Sequence, residues 1–185
     1  PGCPRSRRYA RAMSQLNTPP PITSDDVACI LSTSGTTGKP KAVLFTHNNL
    51  IFSERSFVKG TERTADDVMF MASPLNHATG FFHGLISPMI LGGRTVLQQD
   101  FRPAQAIEQM NREGCTWSMG ATPFIYDMLK CIEFEDGPRF ETLQLFLCGG
   151  APVPGNLVQC AHGHGVMLAE IYGSTESCPH IFVPP

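Results

Sequence analysis

The amino-acid sequence predicts an α/β fold with a largely parallel sheet flanked by helices, and three observations carry that expectation. From Asp25 onward, short apolar and β-branched runs alternate with longer segments of helical spacing, the order of βαβ units. The runs are apolar throughout rather than alternating, as strands covered on both faces require. Helix punctuation falls between them: Pro103 stands where a first-turn proline belongs and Gly114 where a helix-terminating glycine belongs.

In chain order, strands are expected at Val27–Thr33 and Ala42–Thr46, then a helix at His47–Val58. A strand at Val68–Ala72 precedes a helix at Ala78–Leu91, and a strand at Thr95–Gln98 precedes a helix at Pro103–Glu113. The pattern continues with strand Cys115–Met119, helix Thr122–Glu133, strand Leu143–Cys148, helix Pro154–Ala161 and strand Val166–Tyr172. Residues 1–24 differ. They hold Arg5, Arg7, Arg8 and Arg11, then Pro19–Pro21, with no sustained apolar period, and read as a linker or upstream segment ahead of a domain spanning 25–185.

Composition narrows the function. Among 185 residues, 14 Lys+Arg face 16 Asp+Glu for a net charge of -2, and only 16% are charged, against ~25% in ordinary domains. Such a balance supplies no field for a phosphate backbone or an anionic lipid surface, so nucleic acid is not expected as a partner. The longest apolar stretch, Gly80–Gly93, is broken by His83, Ser87 and Pro88 and falls short of the ~20 residues of a membrane span. The 7 cysteines are odd in number, scattered and never in a C-x-x-C pair; neither a disulfide framework nor a zinc site is signalled, and a reducing, cytoplasmic setting fits. The chain starts at Pro1 and stops at Pro185, and is expected to be an excerpt of a longer protein.

In sheets of this kind ligands gather at loops leaving the carboxyl ends of strands. Three such loops stand out. Thr33-Ser34-Gly35-Thr36-Thr37-Gly38-Lys39-Pro40-Lys41 combines two glycines, four hydroxyls and two of the chain's four lysines, a composition suited to cradling phosphates. It departs from the Walker A pattern, because Gly38-Lys39 is followed by Pro40. Tyr172-Gly173-Ser174-Thr175-Glu176 offers a ring to stack on a base, hydroxyls for phosphate oxygens and a carboxylate for Mg²⁺. Cys148-Gly149-Gly150-Ala151-Pro152 would let a flat ring lie against bare backbone. Each alone also reads as an ordinary turn.

Taken together in this order, the three loops resemble the adenylate-forming superfamily of acyl-CoA synthetases, luciferases and peptide-synthetase adenylation domains. Leu75–Phe81, with His77, resembles that family's carboxylate-positioning segment, and Gly120-Ala121-Thr122-Pro123 its acyl-pocket segment. The texture is most similar to short- and medium-chain fatty-acyl-CoA ligases and cyclohexanecarboxylate-CoA ligase-like proteins. Ala42 departs from the glycine common in the family after the second lysine.

The resemblance implies part of a large N-terminal AMP-binding domain, with ATP, Mg²⁺ and CoA as co-substrates and a carboxylic acid as the molecule activated. It implies that Thr33, Ser34, Gly35, Thr36, Thr37, Gly38, Lys39 and Lys41 close over the β- and γ-phosphates. Gly149, Gly150, Ala151, Pro152, Tyr172, Gly173 and Ser174 would hold the nucleotide. Thr175 would meet the α-phosphate, Glu176 with Thr36 would serve Mg²⁺, and Thr175, Glu176 and Lys41 would be catalytic. His77, Gly120 and Ala121 would border the acid. The family's ribose-binding Asp, hinge and catalytic lysine on a small C-terminal domain would lie beyond Pro185, and the chain alone would be inactive. Two alternatives stand beside this: a non-catalytic nucleotide-binding module, or an adenylation enzyme loading a carrier-protein thiol. His162 and His164 read as a polar helix end rather than a metal site, and Trp117 as core.

Overall fold

A computed structural model describes residues 21–33, 38, 40–177 and 181–182. It opens with strands β1 (Val27–Ser32) and β2 (Ala42–Thr46), then helix α1 (His47–Thr61) and strand β3 (Val68–Met71). A π-helix at Thr79–Ile86 runs into α2 (Ser87–Leu91), followed by β4 (Arg94–Leu97), α3 (Pro103–Glu113), β5 (Trp117–Ala121) and α4 (Thr122–Phe134). Then come β6 (Leu145–Gly149), α5 (Gly155–Gly163), β7 (Met167–Tyr172) and β8 (Ile181–Phe182).

The main sheet has the order β4-β3-β5-β6-β7-β8. Its first five strands are mutually parallel and β8 adds an antiparallel edge beside Ile171 and Tyr172. The expected parallel α/β sheet is therefore present. Strand residues alternate between two apolar layers, which is why the runs carry almost no polar positions. Phe70, Phe146 and Cys148 join Ile107, Met110, Ile125 and Leu129 on the side of α3 and α4. Met69, Met71, Trp117, Leu145 and Leu147 face the other way and meet Phe57 of α1 and Leu91 of α2. Trp117 is fully buried.

Local signals explain several boundaries. Thr46 accepts the Asn49 amide at 3.1 Å and so starts α1. Pro103 opens α3 and Gly114 closes it at φ 69°, as the sequence predicts. Asp67 joins two strands at their amino ends: it accepts from the Thr116 hydroxyl at 2.7 Å, while that same hydroxyl accepts the Val68 amide at 3.2 Å.

Three expectations are corrected. The strands expected at Val27–Thr33 and Ala42–Thr46 do not enter the main sheet but pair antiparallel with each other. The link between them is too short for the crossover of a dozen or more residues that parallel neighbours need. The single helix expected over Ala78–Leu91 is two helices: the Ser87 amide donates to the Phe82 carbonyl five residues back, and Pro88, which has no N–H to donate, sits in the first turn of α2. The edge strand Ile181–Phe182 was not anticipated, since two residues carry no periodicity. Elsewhere boundaries move by one to three residues, as for Leu143–Cys148 against Leu145–Gly149 and His47–Val58 against His47–Thr61.

Candidate active site

The chain connection reverses direction between β3 and β5: β4 lies on one side of β3, and α3 carries the chain back to β5 on the other. At such a switch point the loops leaving adjacent strands splay apart and leave a crevice at their carboxyl ends. The structure has a cavity of about 470 Å³ there. Four strands feed it. Ser73 and Pro74 follow β3, Gly120 and Ala121 end β5, Gly149 and Gly150 end β6, and Gly173, Ser174 and Thr175 follow β7.

The glycine at the end of β6 is a packing requirement. A Cβ at Gly149 would lie 2.9 Å from Ile171 Cγ1 and 3.2 Å from the Ile171 carbonyl oxygen, so only a bare backbone brings β6 and β7 together at the rim. The cavity wall is graded in polarity. Ser174, Thr175 and the exposed His77 stand at the rim, while Met119, Phe124 and Ile171 form an apolar interior. His77 is held by its own loop: its amide donates to the Pro74 carbonyl at 3.0 Å, and its Nδ1 accepts the Thr79 amide at 3.2 Å. Phe124 packs edge-on against Phe101 at 4.8 Å between centroids and thus serves the core and the wall together.

Of the sequence-predicted site residues, the cavity wall gathers His77, Gly120, Ala121, Gly149, Gly150, Gly173, Ser174 and Thr175 from four separate loops. Ala151, Pro152, Tyr172 and Glu176 are exposed and stand outside the wall, Glu176 directly after Thr175. The segment Thr33–Lys41, expected from the sequence to cradle phosphates, connects β1 to β2. Its ends are tied by the Thr33 amide donating to the Lys41 carbonyl at 2.9 Å, and Gly38 and Lys41 are exposed. Ser34, Gly35, Thr36, Thr37 and Lys39 lie outside the described residues.

Sequence reasoning missed Met119 and Ile171, whose strand positions gave no hint that their ends border a cavity. It also missed Glu54, which is fully buried. Leu50, Glu54, Phe57 and Thr61 are the buried positions of α1, spaced i, i+4, i+7 and i+11, so the helical period alone marks Glu54 as facing inward. Glu54 meets His83 and Ser87.

The described cysteines, Cys29, Cys115, Cys131, Cys148 and Cys160, are free thiols. Burial pushes the Cys148 thiol up from its usual value and the Cys115 thiol up to about 12, which makes both poor nucleophiles. His164 ends α5 and lies 2.5 Å from Glu133, with Cys160 beside them, at the end of the sheet away from the cavity.

A parallel sheet flanked by helices, with a polar-rimmed crevice at its switch point, places the chain in the class of open α/β domains that hold small-molecule ligands at strand ends. Residues 4–185 match the AMP-binding enzyme family, and the chain belongs to that family, within the adenylate-forming superfamily that the motifs resemble. It is 42% identical over 159 residues to the medium-chain fatty-acid–CoA ligase of Escherichia coli (strain K12), covering 86% of this chain and 28% of that protein. It is 30% identical over 163 residues to a feruloyl-CoA synthase of an Amycolatopsis species, covering 88% of this chain and 33% of that protein. Among solved structures, O-succinylbenzoate coenzyme A synthetase (MenE) from Bacillus subtilis in complex with ATP and magnesium ion matches with a TM-score of 0.80 at 30% identity. That match covers 89% of this chain and 34% of that one. The chain thus spans about a third of the length of these relatives. Among the described residues, no helix is long and apolar enough to cross a membrane.

Proposed function

We propose that this chain is part of the large domain of an ATP-dependent acid–CoA ligase that activates a fatty acid. The observation that carries the proposal is the convergence of four strand-end loops on one cavity with a polar rim and an apolar interior. A carboxylate with an apolar tail needs that division, and the 42% identity to a medium-chain fatty-acid–CoA ligase supports the same choice.

A carboxylate resists attack by a thiol, so its oxygen must first become a leaving group. One carboxylate oxygen attacks the α-phosphorus of ATP; the bond from that phosphorus to the bridging oxygen breaks, and pyrophosphate departs with the electron pair. The CoA sulfur then attacks the acyl carbon, AMP leaves, and the thiol proton passes to solvent. In this reading His77 borders the acid's carboxylate at the rim, and Gly120 and Ala121 flank the acyl chain. The bare backbone at Gly149 and Gly150, with Ala151, Pro152 and Tyr172, receives the adenine, and Thr175 donates to the α-phosphate. The loop Thr33–Lys41 closes over the outer phosphates, with Lys41 offsetting charge. Glu176, an exposed carboxylate next to Thr175, is a hard oxygen donor of the kind Mg²⁺ takes. Mg²⁺, when bound, neutralises charge across the phosphates. A carboxyl-terminal portion of the longer protein supplies the remaining catalytic groups, and the five free thiols among the described residues agree with a cytoplasmic setting.

Acid-dependent exchange of labelled pyrophosphate into ATP by the full-length protein tests this. Exchange with straight-chain fatty acids and CoA-dependent release of AMP are expected. Exchange without a response to CoA would point to a carrier-protein acceptor, and no exchange with any acid would leave a non-catalytic nucleotide-binding module.

A further inference from the structure

We propose that His83 sets the depth of the acyl site and that Glu54 is the positioning residue that holds it there. The inference rests on the acid-binding reading of the cavity and adds to it the determinant of acyl length.

The segment that leads into the π-helix and the π-helix itself both line the cavity, with exposure falling along the chain. His77, just before it, is exposed; Thr79, in its first turn, is half-buried; His83, one turn deeper, is 1% exposed and lines the same cavity. An acid whose carboxylate lies near His77 would direct its tail along this gradient and meet the imidazole at its end.

That ring is clamped from several sides. Its Nδ1 lies 3.0 Å from Glu54 Oε2, which also accepts the Ser87 hydroxyl at 2.5 Å. Phe57, one turn beyond Glu54 on α1, packs on the ring with centroids 4.2 Å apart and planes at 46°. Next to His83, a Cβ at Gly84 would lie 2.6 Å from Met71 Cγ, so the π-helix presses directly onto β3. The ring cannot swing aside without breaking one of these contacts.

Stability alone does not account for the arrangement. Glu54 and Ser87 are 0% exposed, and Glu54 Oε1 has no hydrogen-bond partner. A buried carboxylate with an unpaired oxygen is costly, and apolar residues of similar volume would pack the same space at less expense. The network does provide a fixed orientation for one ring that lines the cavity. It does so on a π-helix, a geometry that recurs at functional sites.

The test measures kcat/KM of the full-length protein across straight-chain saturated acids of increasing length. His83→Ala is expected to move the optimum to longer acids, with roughly tenfold or more gained for each added methylene that newly fits. The gain should fall mainly in the acid's KM, with the KM for ATP unchanged. Glu54→Ala, which touches no substrate, is expected to move the optimum the same way by releasing the ring, and Glu54→Gln, which can still accept from Ser87, to restore the original optimum. His83→Phe fills the space and keeps the fold if His83→Ala does not melt cooperatively; it is expected to hold or shorten the preferred length. A uniform loss across all acids in the Ala variants, or a lengthened optimum in His83→Phe, overturns the assignment while leaving the ligase reading intact. Failure of the wild-type protein to use any acid removes both.

Discussion

At Gly149 the close approach of β6 to β7 beside the cavity rests on one missing methyl group. A Cβ there would meet Ile171 Cγ1 at 2.9 Å and the Ile171 carbonyl oxygen at 3.2 Å, so a side chain fits only if β7 gives way. Gly149→Ala is therefore expected to cost about 1–3 kcal/mol as an overpacked contact, read as a lower midpoint in denaturant at unchanged slope. A stability equal to wild type would show that β6 and β7 can part without penalty. The sequence marked Gly149 as a site residue from the Gly149-Gly150 pair after an apolar run. It could not tell that the neighbour across the gap would be Ile171. Glu54 is the reverse case: its helical phase was readable, but its partner His83 lies 29 residues away, and only the packing of α1 on the π-helix brings the two together.

At the scale of elements, helix caps and strand runs were legible because their causes are local. Pro103 and Gly114 delimit α3 by backbone chemistry alone. The mistakes fall where a longer-range condition decided. Strands β1 and β2 looked like two more members of the sheet, and the limit was the length of the loop between them rather than their own composition. The joint between β3 and β5 offers a test at this scale. Burial by itself would push the Asp67 carboxyl up, but the Thr64 amide, the Thr116 hydroxyl and the Arg63 guanidinium hold it below the usual value. Since the folded value lies below the unfolded one of about 3.9, Asp67 contributes stability above that pH, and the contribution is lost as pH falls through the depressed folded value. Asp67→Asn is expected to lower stability most at neutral pH, with the gap to wild type closing below roughly pH 4. A gap independent of pH in urea titrations would show that the ionised carboxylate plays no part.

At the scale of the whole molecule, the β1–β2 hairpin carries Ile30 at 61% and Leu44 at 59% exposure, and α1 leaves Phe52 at 73%. Ile30 and Leu44 are direct cross-strand partners, and a contiguous exposed apolar patch marks a contact surface, on a chain that spans about a third of its relatives' length. The isolated 185-residue chain is expected to associate in a concentration-dependent way, seen by light scattering, and to form no acyl-CoA with any acid. Steady thioester production by that chain alone would refute its incompleteness as a catalyst.

What the sequence by itself determined is the α/β class and the family, and it named the loops on which the proposed function draws, because periodicity, punctuation and short motifs are written in neighbouring residues. The tertiary structure alone decided which strands share a sheet, that the β3–β5 reversal opens the cavity, and that Glu54 and Ser87 meet His83 behind the cavity wall to which only His83 of the three contributes. Those outcomes depend on crossover length, on twist and on contacts between residues tens of positions apart, and no local pattern encodes them.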